Sequence, residues 1–260
     1  MIRFQVGLGR AVGGATLALL CALHFPLLAA AQAGAPPAVI PAADPRLQLE
    51  GVWEPLGGAI LDPTARAMPG NKGRPMPELS AFPPYNAEFQ ARYDKITADL
   101  RAGVKLIDGS ARCLPQGMPR MMVIGYPIDI IVQPNRVVLL FEPGQQRRII
   151  HTDGRKHTDP LELDPSYSGE SIGYWDGDTL VVSTIGIRED LMFDYSFAPH
   201  SDLLRITERI RRVGDTLEDE MTLEDPKAFT GPWKIKRFYK LRPDWELKEF
   251  VCDQEQNESK

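Results

Sequence analysis

The chain has 260 residues, 43% of them hydrophobic, and a formal charge of −5, a length that suits one domain better than two. The acidic balance argues against a nucleic-acid or anionic-membrane partner. Three cysteines without a Cys-x-x-Cys pair or a Cys/His cluster argue against a zinc site.

The N-terminus reads as a targeting signal. Arg3 and Arg10 stand in a stretch without acidic residues, and an apolar run from Ala11 to Leu23 continues through Phe25, Leu27 and Leu28. Ala31-Gln32-Ala33 supplies the small-x-small pattern that signal peptidase cuts. His24 and Pro26 leave the run short of the about 20 apolar residues that span a bilayer. Residues 1–33 are therefore expected to be a signal peptide cleaved after Ala33. The mature protein is then periplasmic or secreted, with no membrane insertion. Cys21 leaves with the signal, and Ala18-Leu19-Leu20 lacks the small residues that precede a lipidated cysteine. Cys113 and Cys252 remain, and an even number in an oxidising compartment predicts a disulfide. Closing a loop of about 140 residues, it stabilises the fold by about 4–5 kcal/mol on chain entropy. A free, nucleophilic Cys113 is the alternative.

Residues 34–50, rich in Ala and Pro, read as an extended leader. Residues 51–120 read as irregular chain packed with the following domain, apart from a helix over 86–102. Asn86 can cap that helix, and Phe89, Tyr93, Ile96 and Leu100 form its apolar stripe. Gly103 is its stop. From Met121 the period becomes two, so residues 121–254 are expected to hold the β domain. Strands are predicted at Ile128–Gln133, Arg136–Glu142, Arg147–Thr152, Ser171–Trp175, Thr179–Ile187, Leu203–Val213, Thr216–Leu223, Trp233–Arg242 and Trp245–Cys252. Pro134-Asn135, Asp176-Gly177, Gly214-Asp215 and Pro243-Asp244 mark the turns. Eight or nine strands joined mainly by short turns predict a mainly β fold: an antiparallel up-and-down barrel, calycin- or lipocalin-like, with an N-terminal helix. Closure removes the exposed edges, and about eight strands enclose room for one small ligand. A β-sandwich is the alternative.

Three places can carry chemistry. Arg147 to His157 holds His151, Asp153, Arg155 and His157 around a strand end and turn. There Asp153 can orient a histidine and Arg155 can hold an oxyanion, or Asp153-Gly154 is simply a turn. The connection from Gly186 to Asp202 carries Met192, Phe193, Tyr195, Phe197 and His200. It reads either as a lid or as a loop packing its own aromatics. Glu208 falls on an otherwise apolar strand face, so it must be paired with an arginine or have a raised pKa; the structural pair is the preferred reading and a buried acid in a cavity the functional one. Arg205, Arg209 and Arg211 share the other face, read as solvated. No phosphate loop or dinucleotide fingerprint occurs. No cofactor and no metal are called for.

Several strings together resemble an uncharacterised family of exported bacterial proteins: Cys113-Leu114-Pro115-Gln116-Gly117-Met118-Pro119-Arg120, Thr152-Asp153-Gly154-Arg155, Ser171-Ile172-Gly173 through Trp175 to Val182, Pro199-His200-Ser201, and Glu224-Asp225-Pro226 leading to Pro232-Trp233. The resemblance covers roughly residues 50–254 and implies membership and export, with no reaction attached. His151 stands where the family pattern has an aromatic residue. That weakens it as a shared catalytic group and leaves Asp153, Arg155, His157 and His200 as better candidates.

The resulting expectation is a cofactor-independent lyase or isomerase acting on a small, largely apolar organic molecule held in the barrel. His200 or His157 moves the proton, Asp153 or Glu208 orients it, Arg155 stabilises negative charge, and the loop residues with His151 bind substrate. A non-catalytic binding barrel is the alternative, and an envelope scaffold the third reading.

Overall fold

Alternation of apolar and polar residues builds most of the nine strands, because each strand can then bury one face and wet the other. The computed structural model describes residues 40–41, 43–57, 83–194 and 196–253, which fall in one compact unit, Ala38–Lys260. The expected signal peptide lies outside the described residues. The strands are β1 (Gly51–Leu56), β2 (Ile128–Gln133), β3 (Arg136–Phe141), β4 (Gln146–His151), β5 (Glu170–Asp176), β6 (Thr179–Ile185), β7 (Arg205–Val213), β8 (Thr216–Glu224) and β9 (Trp233–Leu241). They close into a barrel in sequence order, β1 pairing with both β2 and β9.

The architecture is the predicted mainly β barrel, with three differences. First, Gly51–Leu56, read as irregular, is a strand. Gly51 and Pro55 mask any alternation there, yet Trp53 pairs with Ile128 on one side and Leu241 on the other. Second, Trp245–Cys252, read as a strand, forms none. β9 is already paired with β8 and β1, so no edge is left for a further strand. Third, the series is not wholly up-and-down: β4 and β5 run parallel, through Ile150 to Ser171 and His151 to Ile172.

Helix α1 (Ala87–Arg101) begins where expected, with Asn86 Oδ1 accepting from the Phe89 amide at 3.1 Å. Phe89 and Tyr93 are buried, while Leu100 at the far end of the stripe is exposed. Tyr85, just before the helix, bridges to Phe229 and stacks with Phe89. Phe193 carries the aromatic layer on to Phe229 and Trp233. A short helix not anticipated from sequence, α2 (Arg120–Val123), is wholly buried. Among the described residues no helix is long and apolar enough to cross a membrane.

Cys113 and Cys252 form the expected disulfide, with Cα atoms 5.7 Å apart. The other strings noted in the sequence have structural work. Arg120 makes a two-pronged ion pair with Asp108 at 2.8 and 2.5 Å. Gly117, at φ +71°, leaves no room for a side chain, because a Cβ would lie 2.7 Å from the Tyr167 carbonyl. Asp225 accepts from the Ser201 amide at 2.7 Å and the Ser201 hydroxyl at 2.6 Å, fastening the 186–202 connection to the end of β8.

Candidate functional site

The middle of the barrel is charged. Inward-facing positions of β4, β5, β6 and β7 supply Arg148, Ser171, Thr184 and Glu208, all buried. Arg148 donates to Glu208 Oε1 at 2.8 Å and also to Oε2, to Thr184 Oγ1 at 2.8 Å and to Ser171 Oγ at 3.1 Å. Ser171 and Thr184 share a further hydrogen bond of 2.9 Å. Burial works against the Arg148 charge, but Glu208 outweighs it and the guanidinium pKa rises. The pair is thus fully hydrogen-bonded, the condition under which a buried ion pair offsets its desolvation cost.

β8 and β9 complete this belt with Asp219, Arg237 and Tyr239, each at most 1% exposed. Asp219 lies opposite Arg237 in the β8–β9 register. Neither Asp219 oxygen has a hydrogen-bond partner among the described residues. Burial and then the Glu208 charge push its pKa well above the usual carboxylate range, against the opposing pull of Arg148 and Arg237. Tyr239 donates to the Met122 carbonyl of α2, and burial raises its phenol pKa.

The histidines lie elsewhere. His200 is buried beside Phe193, ring centroids 5.2 Å apart, and its Nδ1 bonds the Ser201 carbonyl at 2.8 Å. Burial lowers its pKa. That hydrogen bond puts the proton on Nδ1, so the buried Nε2, which has no partner among the described residues, carries the lone pair. His157 belongs to the connection between β4 and β5 and rests on the outer wall. Its Nδ1 lies 2.7 Å from Glu170 Oε2 and its Nε2 lies 3.0 Å from Ser183 Oγ.

The sequence-derived candidates therefore occupy three places. Asp153 and Arg155 form a partly exposed ion pair at 2.6 Å across the Gly154 turn, and hydrogen bonding to Arg155 lowers the Asp153 carboxyl to about 2. They share the outside of the barrel with His157 and with half-buried His151 at the end of β4. Phe193 and His200 belong to the aromatic layer; Met192 and Phe197 are half-buried beside it, and Tyr195 lies outside the described residues. Glu208 alone reaches the interior belt, with the arginine partner expected for it. Arg205, Arg209 and Arg211 are exposed, as expected for a solvated face.

Sequence reasoning missed Arg148, Asp219, Arg237 and Tyr239 in the belt, and Glu170 and Ser183 on the wall. The test that found Glu208 would have found the first three. Arg148 is in phase with Ile150, Asp219 with Leu217 and Met221, and Arg237 with Ile235. Glu170 and Ser183 carry no such signal, since ordinary outward positions of strands are polar.

No protein-family model and no curated protein sequence matches the chain. Among solved structures it is similar to a luciferase domain from the dinoflagellate Lingulodinium polyedrum, with 14% identity over 84% of this chain and a TM-score of 0.35. The chain spans about half of that structure's length, 48%.

Proposed function

We propose that this is an exported, cofactor-independent barrel that takes up a small organic molecule with an apolar body and a polar head, and that Asp219 receives the head. The observation carrying this reading is the Asp219 carboxyl, completely buried with neither oxygen hydrogen-bonded among the described residues. A buried polar group in that state calls for a water, an ion or a ligand. The apolar body would lie along Met221, Leu223 and Ile235, which share the inward face of β8 and β9. The connection carrying Phe193 and His200, held by Asp225, covers the end of the barrel at Trp233. The disulfide supports an oxidising compartment, and the strings noted above support membership in the exported bacterial family.

The raised Asp219 carboxyl favours a second reading, a lyase or isomerase in which the neutral acid hands its proton to the ligand. Native mass spectrometry of the protein purified from its own envelope fraction tests both. One small molecule bound per barrel is expected, and Asp219→Leu should release it. Conversion of that molecule on prolonged incubation would select the enzyme. Protein that carries no molecule and shows no thermal shift with a panel of amphiphilic compounds would overturn the binding reading.

A further inference from the structure

The contacts of His157 on the outer wall have the order of a nucleophile, a base and an orienting acid. Glu170 Oε1 accepts from the Thr158 hydroxyl at 2.7 Å, and Oε2 accepts from the Thr158 amide at 3.0 Å and faces His157 Nδ1 at 2.7 Å. Burial alone would raise the Glu170 pKa, but the bonds from Thr158 and His157 outweigh it and hold the group below its ordinary value. An ionised Glu170 requires the proton on Nδ1. The Nε2 lone pair then faces Ser183 Oγ at 3.0 Å, and the hydroxyl donates to it. A catalytic triad is recognised by these roles and distances, not by a position in sequence. Nothing in the barrel's architecture demands the arrangement, since Ser183 faces outward, opposite Ile172 on one side and Thr207 on the other.

The surroundings fit a substrate. A cleft of about 160 Å³ begins at Ile185, the next outward residue of β6 after Ser183, and is lined by Pro160, Leu163, Pro165, Leu203 and Arg205. Its lining is apolar apart from the Arg205 guanidinium and the Asp202 carboxylate, which is paired with Lys227 at 3.1 Å, and its size admits a short acyl chain. Exposed Thr207, directly across from Ser183, and exposed Arg205 supply donors on the same face.

We propose that Ser183, His157 and Glu170 form an esterase site on the barrel wall that cleaves small carboxylic esters whose acyl chain lies in the Ile185 cleft. Ser183 Oγ attacks the ester carbonyl carbon while its proton passes to His157 Nε2, and the carbonyl electron pair moves onto oxygen. Thr207 and Arg205 are the donors for that oxyanion. The pair returns, the bond to the alcohol oxygen breaks, and His157 gives its proton to the departing alcohol. Water then attacks the acyl-serine, with His157 taking and returning the proton. The products are the alcohol, the carboxylic acid and free Ser183. Glu170 is a positioning residue: it fixes the imidazole tautomer and touches no reacting atom.

The site is independent of the lumen, so either reading can fail alone. The test uses the disulfide-intact protein with a fluorophosphonate probe, peptide mapping, and the p-nitrophenyl esters of acetate, butyrate and octanoate. Phosphonylation of Ser183 is expected, with acetate and butyrate cleaved faster than octanoate. Ser183→Ala should lower turnover by about 100-fold or more, at an unchanged melting temperature. Glu170→Gln should lower kcat with little change in KM and alter the pH profile, which loss of a merely structural contact would not do. Failure to label Ser183, or a folded Ser183→Ala protein hydrolysing these esters at the parent rate, would overturn the proposal.

Discussion

Asp219 is the residue whose state is most unusual. Its carboxyl pKa is raised in the folded protein, so the native state holds a proton that the unfolded chain releases above about pH 3.9. Stability contributed by this group is therefore present below the unfolded pKa and falls as pH rises through the folded one. Asp219→Asn removes that dependence without losing a hydrogen bond. Urea denaturation should show the variant more stable than the parent by about 1 kcal/mol or more at pH 8, with the difference vanishing near pH 3.5. Arg148 is the contrasting case. Arg148→Met leaves Glu208 buried and unpaired and should cost about 3–5 kcal/mol. Adding Glu208→Leu should recover most of that loss, which a double-mutant cycle measures.

At the scale of elements, the hairpin between β5 and β6 isolates the cost of one backbone angle. Gly177 sits at φ +65° with open space where a Cβ would go. Gly177→Ala should thus cost about 1–2 kcal/mol from left-handed backbone alone, readable as a fall in melting temperature with no change in the β-sheet circular dichroism. This hairpin, β2–β3 and β7–β8 were legible in the sequence, because a two-residue turn between alternating runs is a local signal. β1 was not legible: its partners Ile128 and Leu241 are far along the chain, and a strand of six residues containing Gly51 and Pro55 carries no period of its own. The same distinction divides the sites. Glu208 could be found from strand phase. The contacts of His157 with Glu170 and Ser183 depend on where a nonlocal connection comes to rest, which no spacing encodes.

For the whole molecule, the disulfide joins a chain end that lacks other regular anchoring. After β9, residues 242–253 form no ladder; the Arg242 amide still bonds the Val52 carbonyl at 2.8 Å, and beyond it the chain is held by Cys252, by the Lys248 amide on Glu142 at 2.6 Å, and by the Phe250 carbonyl, which accepts from Gln145 at 3.3 Å. Non-reduced protein lacking residues 1–33 should give no free thiol. Replacing both cysteines by serine should cost about 2–5 kcal/mol and should raise hydrogen exchange over residues 245–253 before the barrel strands respond.

The parallel pairing of β4 with β5 has a consequence for how the protein can change. Two neighbouring strands that run the same way cannot be joined by a hairpin, so the chain must travel back outside the wall before β5 begins. Residues 152–169 make that journey, and they bring His157 and Thr158 to Glu170 and carry Leu163 to the edge of the Ile185 cleft. An antiparallel junction would have needed no such detour and would have left the wall bare. Its last residues are held, Ser166 by Gly186 and Arg188 and Tyr167 by Met118, but residues 159–164 bear little of the barrel's own hydrogen bonding, so substitutions there can reshape the outer cleft while the nine strands, and the charged belt they enclose, stay as they are.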